Sequence, residues 1–342
     1  MKKSGKNSLA LLSWLACVGC AARAAQPATV NVAAPAATAE GAPAVSPLPA
    51  LTEEEREMEE RLRATVKHFA SEIGDRNIEQ SWNLASATDD LATSLEKTGY
   101  DVQRQGIVAG DAVVQNVIVH VAGGEHGGQV IVVGAHFDTF QGTPGADDDG
   151  SGVAAVMELA RTFQAKKGKR ALHLGFFVNG EAPYLRTEQM GSLVYAKWLK
   201  GQGLEVKGML SLDGLGAYSD APPARPYPDG IVPPYPAKSD FVAIVGNEAS
   251  RPLLEQVTTS MQHGSVPVIG TVLGEEHPLA QGSDQWAFWK LGAPALLVTD
   301  VAEYRYKEHH QKTDLPDKLD YDRLTRVVSA LKRTVAELVE GG

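Results

Sequence analysis

Strands that alternate with helices predict an α/β fold: three α/β/α layers around a largely parallel central sheet. Two observations carry the expectation. Short apolar, β-branched runs recur between Val113 and Val298, with helical-period stretches between them. One of those runs, Val130-Ile131-Val132-Val133, is apolar at every position, as a strand covered on both faces must be. A composition of 43% hydrophobic and 22% charged residues over 342 positions is that of a packed globular body.

The elements follow in order. Thr52 and Glu55 form a capping-box pattern ahead of a charged helix reaching about Ile73. A second helix, about Ile78 to Lys97, stops before Gly99, a residue suited to the end of a helix. Strands are expected at Val113 to Val121 and Gln129 to Ala135. The next helix, Ser151 to about Ala165, carries Val153, Val156, Met157, Ala160 and Phe163 on one face. Then come a strand at Ala171 to Val178, a helix near Leu193 to Leu199, and strands at Gly208 to Leu212 and Phe241 to Val245. A helix from Arg251 to Gln262, another from Trp286 to Leu291 and a strand at Ala295 to Val298 complete the alternation. The last helix presents Leu324, Val327, Val328, Leu331, Val335 and Leu338 at helical spacing. The stretch from Gly214 to Ser239 breaks the rhythm with seven prolines and three tyrosines. A loop of that length is either a proline-stiffened surface excursion or the wall of a pocket.

The N-terminus reads as an export leader over residues 1–20. Lys2, Lys3 and Lys6 precede the apolar run Leu9 to Val18, which is too short to span a bilayer, and small residues follow. Cys20 after Val18-Gly19 is similar to a bacterial lipid-attachment site, although Cys17 stands where Leu is usual; lipidation and simple secretion both remain open. Residues 21–50, rich in Ala, Pro, Val and Thr, read as a disordered tether. Residues 51–342 read as the folded domain, placed in the bacterial periplasm, the envelope or the medium. Membrane contact is expected only through a lipid on Cys20. Acidic residues outnumber basic ones by 42 to 32, and a net charge of −10 argues against a nucleic-acid partner. Cys17 and Cys20 are the only cysteines, so a disulfide scaffold and a thiolate zinc site are excluded from the body.

Five ligand-type residues fall just beyond expected strand ends: His136, Asp148, Glu181, Asp213 and His310. Ligands bind in the crevice at that edge of an open α/β sheet. Two imidazoles with three carboxylates suit zinc, or two zinc ions sharing a carboxylate. Each residue alone reads equally as a cap or a buried polar group, and Asp147-Asp148-Asp149 reads also as a solvated helix N-terminus. Asp138, two residues past His136, is placed to hold the far side of that imidazole through its carboxylate.

The stretches Val132-Val133-Gly134-Ala135-His136-Phe137-Asp138-Thr139 and Pro144-Gly145-Ala146-Asp147-Asp148-Asp149-Gly150-Ser151-Gly152 resemble the co-catalytic zinc aminopeptidases, the family of bacterial leucyl aminopeptidases and glutamate carboxypeptidases. Glu188-Gln189-Met190-Gly191-Ser192, Ser211-Leu212-Asp213, Ser283-Asp284 and His310 ahead of Pro316-Asp317-Lys318-Leu319 agree in order. The resemblance implies a single zinc-exopeptidase domain with two zinc ions. Asp148 bridges them, His136 and Asp213 complete one site, and Glu181 and His310 complete the other. It implies peptide substrates cut at the N-terminus by metal-bound water, with Asp138 behind His136. The chain departs from the pattern at Gly180, where the family has the Glu that acts as general base, and at Gln285, where it has His. Two readings follow: a zinc aminopeptidase, or a catalytically impaired homologue that binds zinc or peptide. On the resemblance, Gly180→Glu restores a proton acceptor and leaves metal binding nearly unchanged.

Overall fold

A computed structural model describes residues 48–341. The expected leader, Cys20 and all but the last three residues of the expected tether lie outside the described residues. At the centre is an eight-stranded sheet. Its strands are β1 (Val102–Ala109), β2 (Ala112–Val121), β3 (His126–His136), β4 (Arg170–Phe177), β5 (Glu205–Leu212), β6 (Val242–Gly246), β7 (Val268–Val272) and β8 (Ala295–Thr299). Their spatial order is β1-β2-β4-β3-β5-β8-β6-β7. Strand β3 pairs parallel with β4 and β5, β5 with β8, and β6 with β7. The other three pairings are antiparallel, so the sheet is mixed, with its parallel part at the centre.

The sequence reading missed two strands, β1 and β7, which form the two edges. In β1 the polar Gln103, Arg104 and Gln105 dilute the apolar period. It exists because Gly110, at φ 61°, turns the chain tightly back onto β2. Strand β7, Val268-Ile269-Gly270-Thr271-Val272, has a glycine and a threonine where β6 and β8 of equal length keep an apolar run, so it shows neither an apolar run nor an alternation.

Among the described residues eight α-helices cover the sheet: α1 (Glu53–Lys67), α2 (Ser81–Lys97), α3 (Gly150–Phe163), α4 (Gly191–Gly201), α5 (Arg251–Met261), α6 (Gln285–Trp289), α7 (Ala302–Arg305) and α8 (Tyr321–Glu340). The Thr52–Glu55 capping box starts α1 as its sequence demands. That helix ends at Lys67 rather than Ile73, and a wider π turn carries the chain on to Ile73. Alternation along β3 sorts its side chains to two cores. Ile131 and Val133 join Leu62, Leu159, Val257 and Leu331 from α1, α3, α5 and α8. Val130 and Val132 join Leu193, Leu199 and Phe288 from α4 and α6. The three layers follow directly. All four residues of the run are fully buried, each contributing about 1.5–3 kcal/mol relative to exposure. A charge at Val132 would have no partner in its core and would break it. Among the described residues no helix is long and apolar enough to cross a membrane.

Candidate metal centre

The parallel strands deliver the site. His136 is the last residue of β3, Glu181 lies four residues past β4, Asp213 directly follows β5, and Asp148 sits on the turn into α3. His310 comes from the loop between α7 and α8. The acidic triplet divides its work. Asp149 caps α3 by accepting the Gly152 N–H at 3.0 Å. Asp147 accepts the Gly216 N–H at 2.8 Å. Asp148 alone faces the imidazoles, and all three are buried, so the triplet is not a solvated helix end.

The five residues converge around Asp148. Its Oδ1 lies 3.2 Å from His136 Nε2, and its Oδ2 lies 3.1 Å from His310 Nε2. Asp213 Oδ2 stands 3.7 Å from the same His136 nitrogen, and Glu181 Oε1 stands 3.2 Å from the same His310 nitrogen. One carboxylate therefore looks two ways, toward two separate groups of donors. The surrounding backbone is held in uncommon conformations: Asn179, Val301 and His310 have φ of 62°, 64° and 57°. Such positions cost of order 1–3 kcal/mol each and persist where the surrounding structure imposes them, commonly at functional sites.

This donor set fits zinc. Two imidazoles and three carboxylates are ligand types that zinc pairs use. The site also demands positive charge. Burial alone would depress both imidazoles, yet Asp138, Asp148 and Asp213 raise His136 well above its ordinary pKa, and Asp148 with Glu181 raises His310 to about 10. Burial alone would raise Asp148, but His136 and His310 hold it well below the usual carboxylate range. Burial, and then the Asp148 charge, push Glu181 up to about 6.

Asp138 stands behind His136 in a different manner from the expected one. Its main-chain carbonyl, not its carboxylate, meets His136 Nδ1 at 3.0 Å; Oδ1 is 3.7 Å away. The carboxylate instead accepts the N–H groups of Gly180 and Glu181 at 2.8 and 3.1 Å. Asp138 thus ties the loop after β3 to the loop after β4 and sets the direction of Glu181.

Gly180 is packed against His136. A Cβ added there would lie 2.5 Å from His136 Cβ and 2.6 Å from Cγ. The expectation that Glu fits at this position without disturbing the metal centre is therefore corrected: the imidazole root occupies the space that the side chain needs. Gln285 is fully buried on α6 and donates to the Ala280 carbonyl at 3.1 Å, a structural contact.

Two residues escaped sequence reasoning. His309 stacks on His310 at 4.0 Å between centroids, and its Nδ1 lies 3.3 Å from Asp148 Oδ2. The signal was the adjacent His-His pair. Arg76, fully buried, lies beneath the loop 137–145. Its guanidinium donates to the carbonyls of Phe137, Phe69, Gly74, Pro144 and Gly145 at 2.7–3.2 Å. A lone Arg between helices carries no sequence signal of this role.

A mixed sheet with a two-sided carboxylate and two imidazoles at its carboxyl edge defines the zinc-exopeptidase architecture. The family model for peptidase family M28 matches residues 116–335, and the chain belongs to that family. It is 29% identical over 287 residues to the uncharacterised protein YfbL of Escherichia coli, covering 80% of this chain and 86% of that one. It is 27% identical over 316 residues to a probable zinc metalloprotease of Pyrenophora tritici-repentis, covering 78% of this chain and 64% of that protein. The fold is shared with the Legionella pneumophila LapA aminopeptidase (TM-score 0.65, 20% identity, 86% of this chain and 77% of that chain). It is shared also with the zinc aminopeptidase BSAP of Bacillus subtilis (TM-score 0.67, 14% identity, 86% and 97%).

Proposed function

We infer that the chain is an exported zinc aminopeptidase that removes N-terminal residues from peptides. The observation that carries this is Asp148, whose two oxygens face His136 and His310 separately. That supports a pair of zinc ions, with His136 and Asp213 holding one, Glu181 and His310 the other, and Asp148 shared. Zinc bound there supplies Lewis acidity toward a peptide carbonyl and toward water. The chain's own residues do the rest. The Asp138 carbonyl accepts from His136 Nδ1 and leaves Nε2 free as a donor to metal. The Asp138 carboxylate holds the Gly180–Glu181 turn. A cavity of about 400 Å³, lined by all five donors, admits the peptide end.

A second reading is favoured by one observation. Gly180 brings no carboxylate, and general-base assistance is typically worth ~10²–10⁴ in rate. A homologue that binds zinc and peptide but turns over slowly fits that loss. One experiment separates the two: hydrolysis of a panel of free dipeptides and aminoacyl-anilides by the zinc-loaded protein, with metal content measured alongside. Brisk turnover with bound zinc supports the aminopeptidase. Bound zinc without turnover supports the impaired homologue, and absence of zinc binding overturns both. Export is tested separately, by fractionating cells that express the wild type and Cys20→Ser.

A further inference from the structure

The long excursion between β5 and β6 is not a loose surface loop. Its base is closed by a bridge between Ser219 and Ser239. Arg305, from α7, donates through Nε to the Tyr227 hydroxyl at 2.9 Å and through Nη1 to the Phe241 carbonyl at 2.6 Å. Tyr227 packs edge-on against Tyr235 at 5.2 Å. Prolines at 222, 223, 226 and 228 restrict the chain on either side of Arg225. The Arg225 N–H donates to the Tyr304 carbonyl at 2.9 Å, fixing that residue to α7. This frame carries the Arg225 side chain into the wall of the cavity that holds His136, Asp148, Glu181, Asp213 and His310.

Arg225 has no ionic partner there. Arg225 is itself exposed, and among the described residues its guanidinium forms no ion pair and no side-chain hydrogen bond. Glu303 lines the same cavity and leaves it unpaired. Charge balance sharpens the point. The carboxylates lining the cavity are Asp148, Glu181, Asp213 and Glu303. Two divalent ions would neutralise those four charges, which leaves Arg225 as the uncompensated fixed charge of the cavity. Leu185, Leu279, Leu297 and Val301 line the remaining surface with apolar groups.

We propose that Arg225 is a specificity residue that pairs with a carboxylate of the substrate, so that the preferred substrates are short peptides carrying both an apolar side chain and a carboxylate. The proposal rests on the peptidase reading for the chemistry and on the excursion for the selectivity. Guanidinium meets carboxylate through two parallel N–H···O bonds, a match that a neutral amide or an anilide cannot make. The carboxylate can come from the C-terminus of a dipeptide or from an acidic side chain. A cavity of about 400 Å³ has room for a whole dipeptide, so the terminal carboxylate can lie within it beside Arg225.

The test compares Leu-Ala, Leu-Ala amide and Glu-Ala amide as substrates of the zinc-loaded wild type, Arg225→Gln and Arg225→Lys. Binding of a reduced-bond Leu-Ala analogue and of its amide is measured by calorimetry in parallel. The wild type is expected to favour a carboxylate-bearing substrate, Leu-Ala or Glu-Ala amide, over Leu-Ala amide by roughly ten- to a hundredfold, the scale of a hydrogen-bonded charge pair. Arg225→Gln should bring that ratio toward one in both kinetics and binding, and Arg225→Lys should restore part of it. A preference for Leu-Ala identifies the C-terminus as the source; a preference for Glu-Ala amide identifies the side chain. No wild-type preference for either carboxylate-bearing substrate, Leu-Ala or Glu-Ala amide, over Leu-Ala amide, or a preference unmoved by Arg225→Gln, overturns the proposal and leaves the aminopeptidase reading standing. Arginine-dependent binding of the acid analogue without hydrolysis of any substrate supports the proposal and overturns the aminopeptidase reading. Failure to bind or cleave any of them overturns both.

Discussion

Placing a side chain at Gly180 is the sharpest probe of the centre. A Cβ there sits 2.5 Å from His136 Cβ and 2.6 Å from Cγ, whereas carbon atoms in contact rest about 3.5–4.0 Å apart. Either the turn or the imidazole must yield by ~1 Å. The turn is held by Asp138, which accepts both the Gly180 and Glu181 N–H groups. The clash meets the root of His136 rather than a flexible tip. Overpacking of this kind costs about 1–3 kcal/mol. At ~2–4 °C per kcal/mol, Gly180→Ala should lower Tm by roughly 2–12 °C. A shift of that size in the ring exceeds the tolerance of about 0.2 Å on a zinc–nitrogen bond, so zinc affinity should fall by ~10–100-fold. Gly180→Glu carries the same clash and should not raise turnover. The assays are a chelator-competition zinc titration and a thermal melt of both variants with and without zinc. If Gly180→Ala binds zinc as the wild type does and melts within a degree of it, the turn has slack and the argument fails.

Three further outcomes are expected. Asp148→Ala should hold at most one zinc per chain after dialysis, measured by mass spectrometry; undiminished content would remove Asp148 from the shared position. Arg76→Met strips five carbonyls of their donor and should cost about 3–5 kcal/mol in denaturant unfolding, with Arg76→Lys recovering part, and a loss under ~1 kcal/mol would mean that loop 137–145 holds itself. His173 is buried against Tyr195, whose hydroxyl lies 2.8 Å from Nδ1, and burial followed by the neighbouring His120 pushes its pKa down to about 3. The folded chain then stays unprotonated there while the unfolded chain takes up a proton below about pH 6.5. This contribution to stability is complete above that pH and is lost as pH falls toward 3, by up to about 1.4 kcal/mol per unit. His173→Asn should therefore flatten the decline of stability between pH 6 and 5, and identical slopes in the two proteins would refute the assignment.

Most of the architecture was legible because the central strands are apolar on both faces and the helices between them keep a clean period. The run 130–133 fixed β3, and β3 in turn placed His136. The edges were illegible for the opposite reason: β1 mixes polar residues into its pattern, and a glycine and a threonine interrupt β7. Of the centre, the residues beyond strand ends could be read, since that position depends on order along the chain. Contacts across loops could not. Whether the Asp138 carboxylate or its carbonyl met His136 depended on how two loops approach each other. The steric conflict at Gly180 depended on an imidazole 44 positions earlier in the sequence. Arg76 gave no sign, because a buried guanidinium is recognisable only by the carbonyls that surround it.

The first and last helices lie side by side. The Arg63 guanidinium of α1 sits 3.9 Å above the Tyr321 ring at the start of α8, and Ser329 Oγ reaches Glu55 at 3.4 Å. Leu62 and Leu331 belong to one core. A ribosome makes those two helices more than 250 residues apart. During synthesis, the part of the α1 apolar face that α8 covers therefore waits exposed until that segment emerges. Vectorial production can bring α3 onto α1 early, but it cannot complete this layer before α8 emerges. Until the C-terminal segment appears, the nascent chain exposes a greasy stripe that a holdase would recognise, and truncation within α8 should yield aggregation rather than a smaller folded protein.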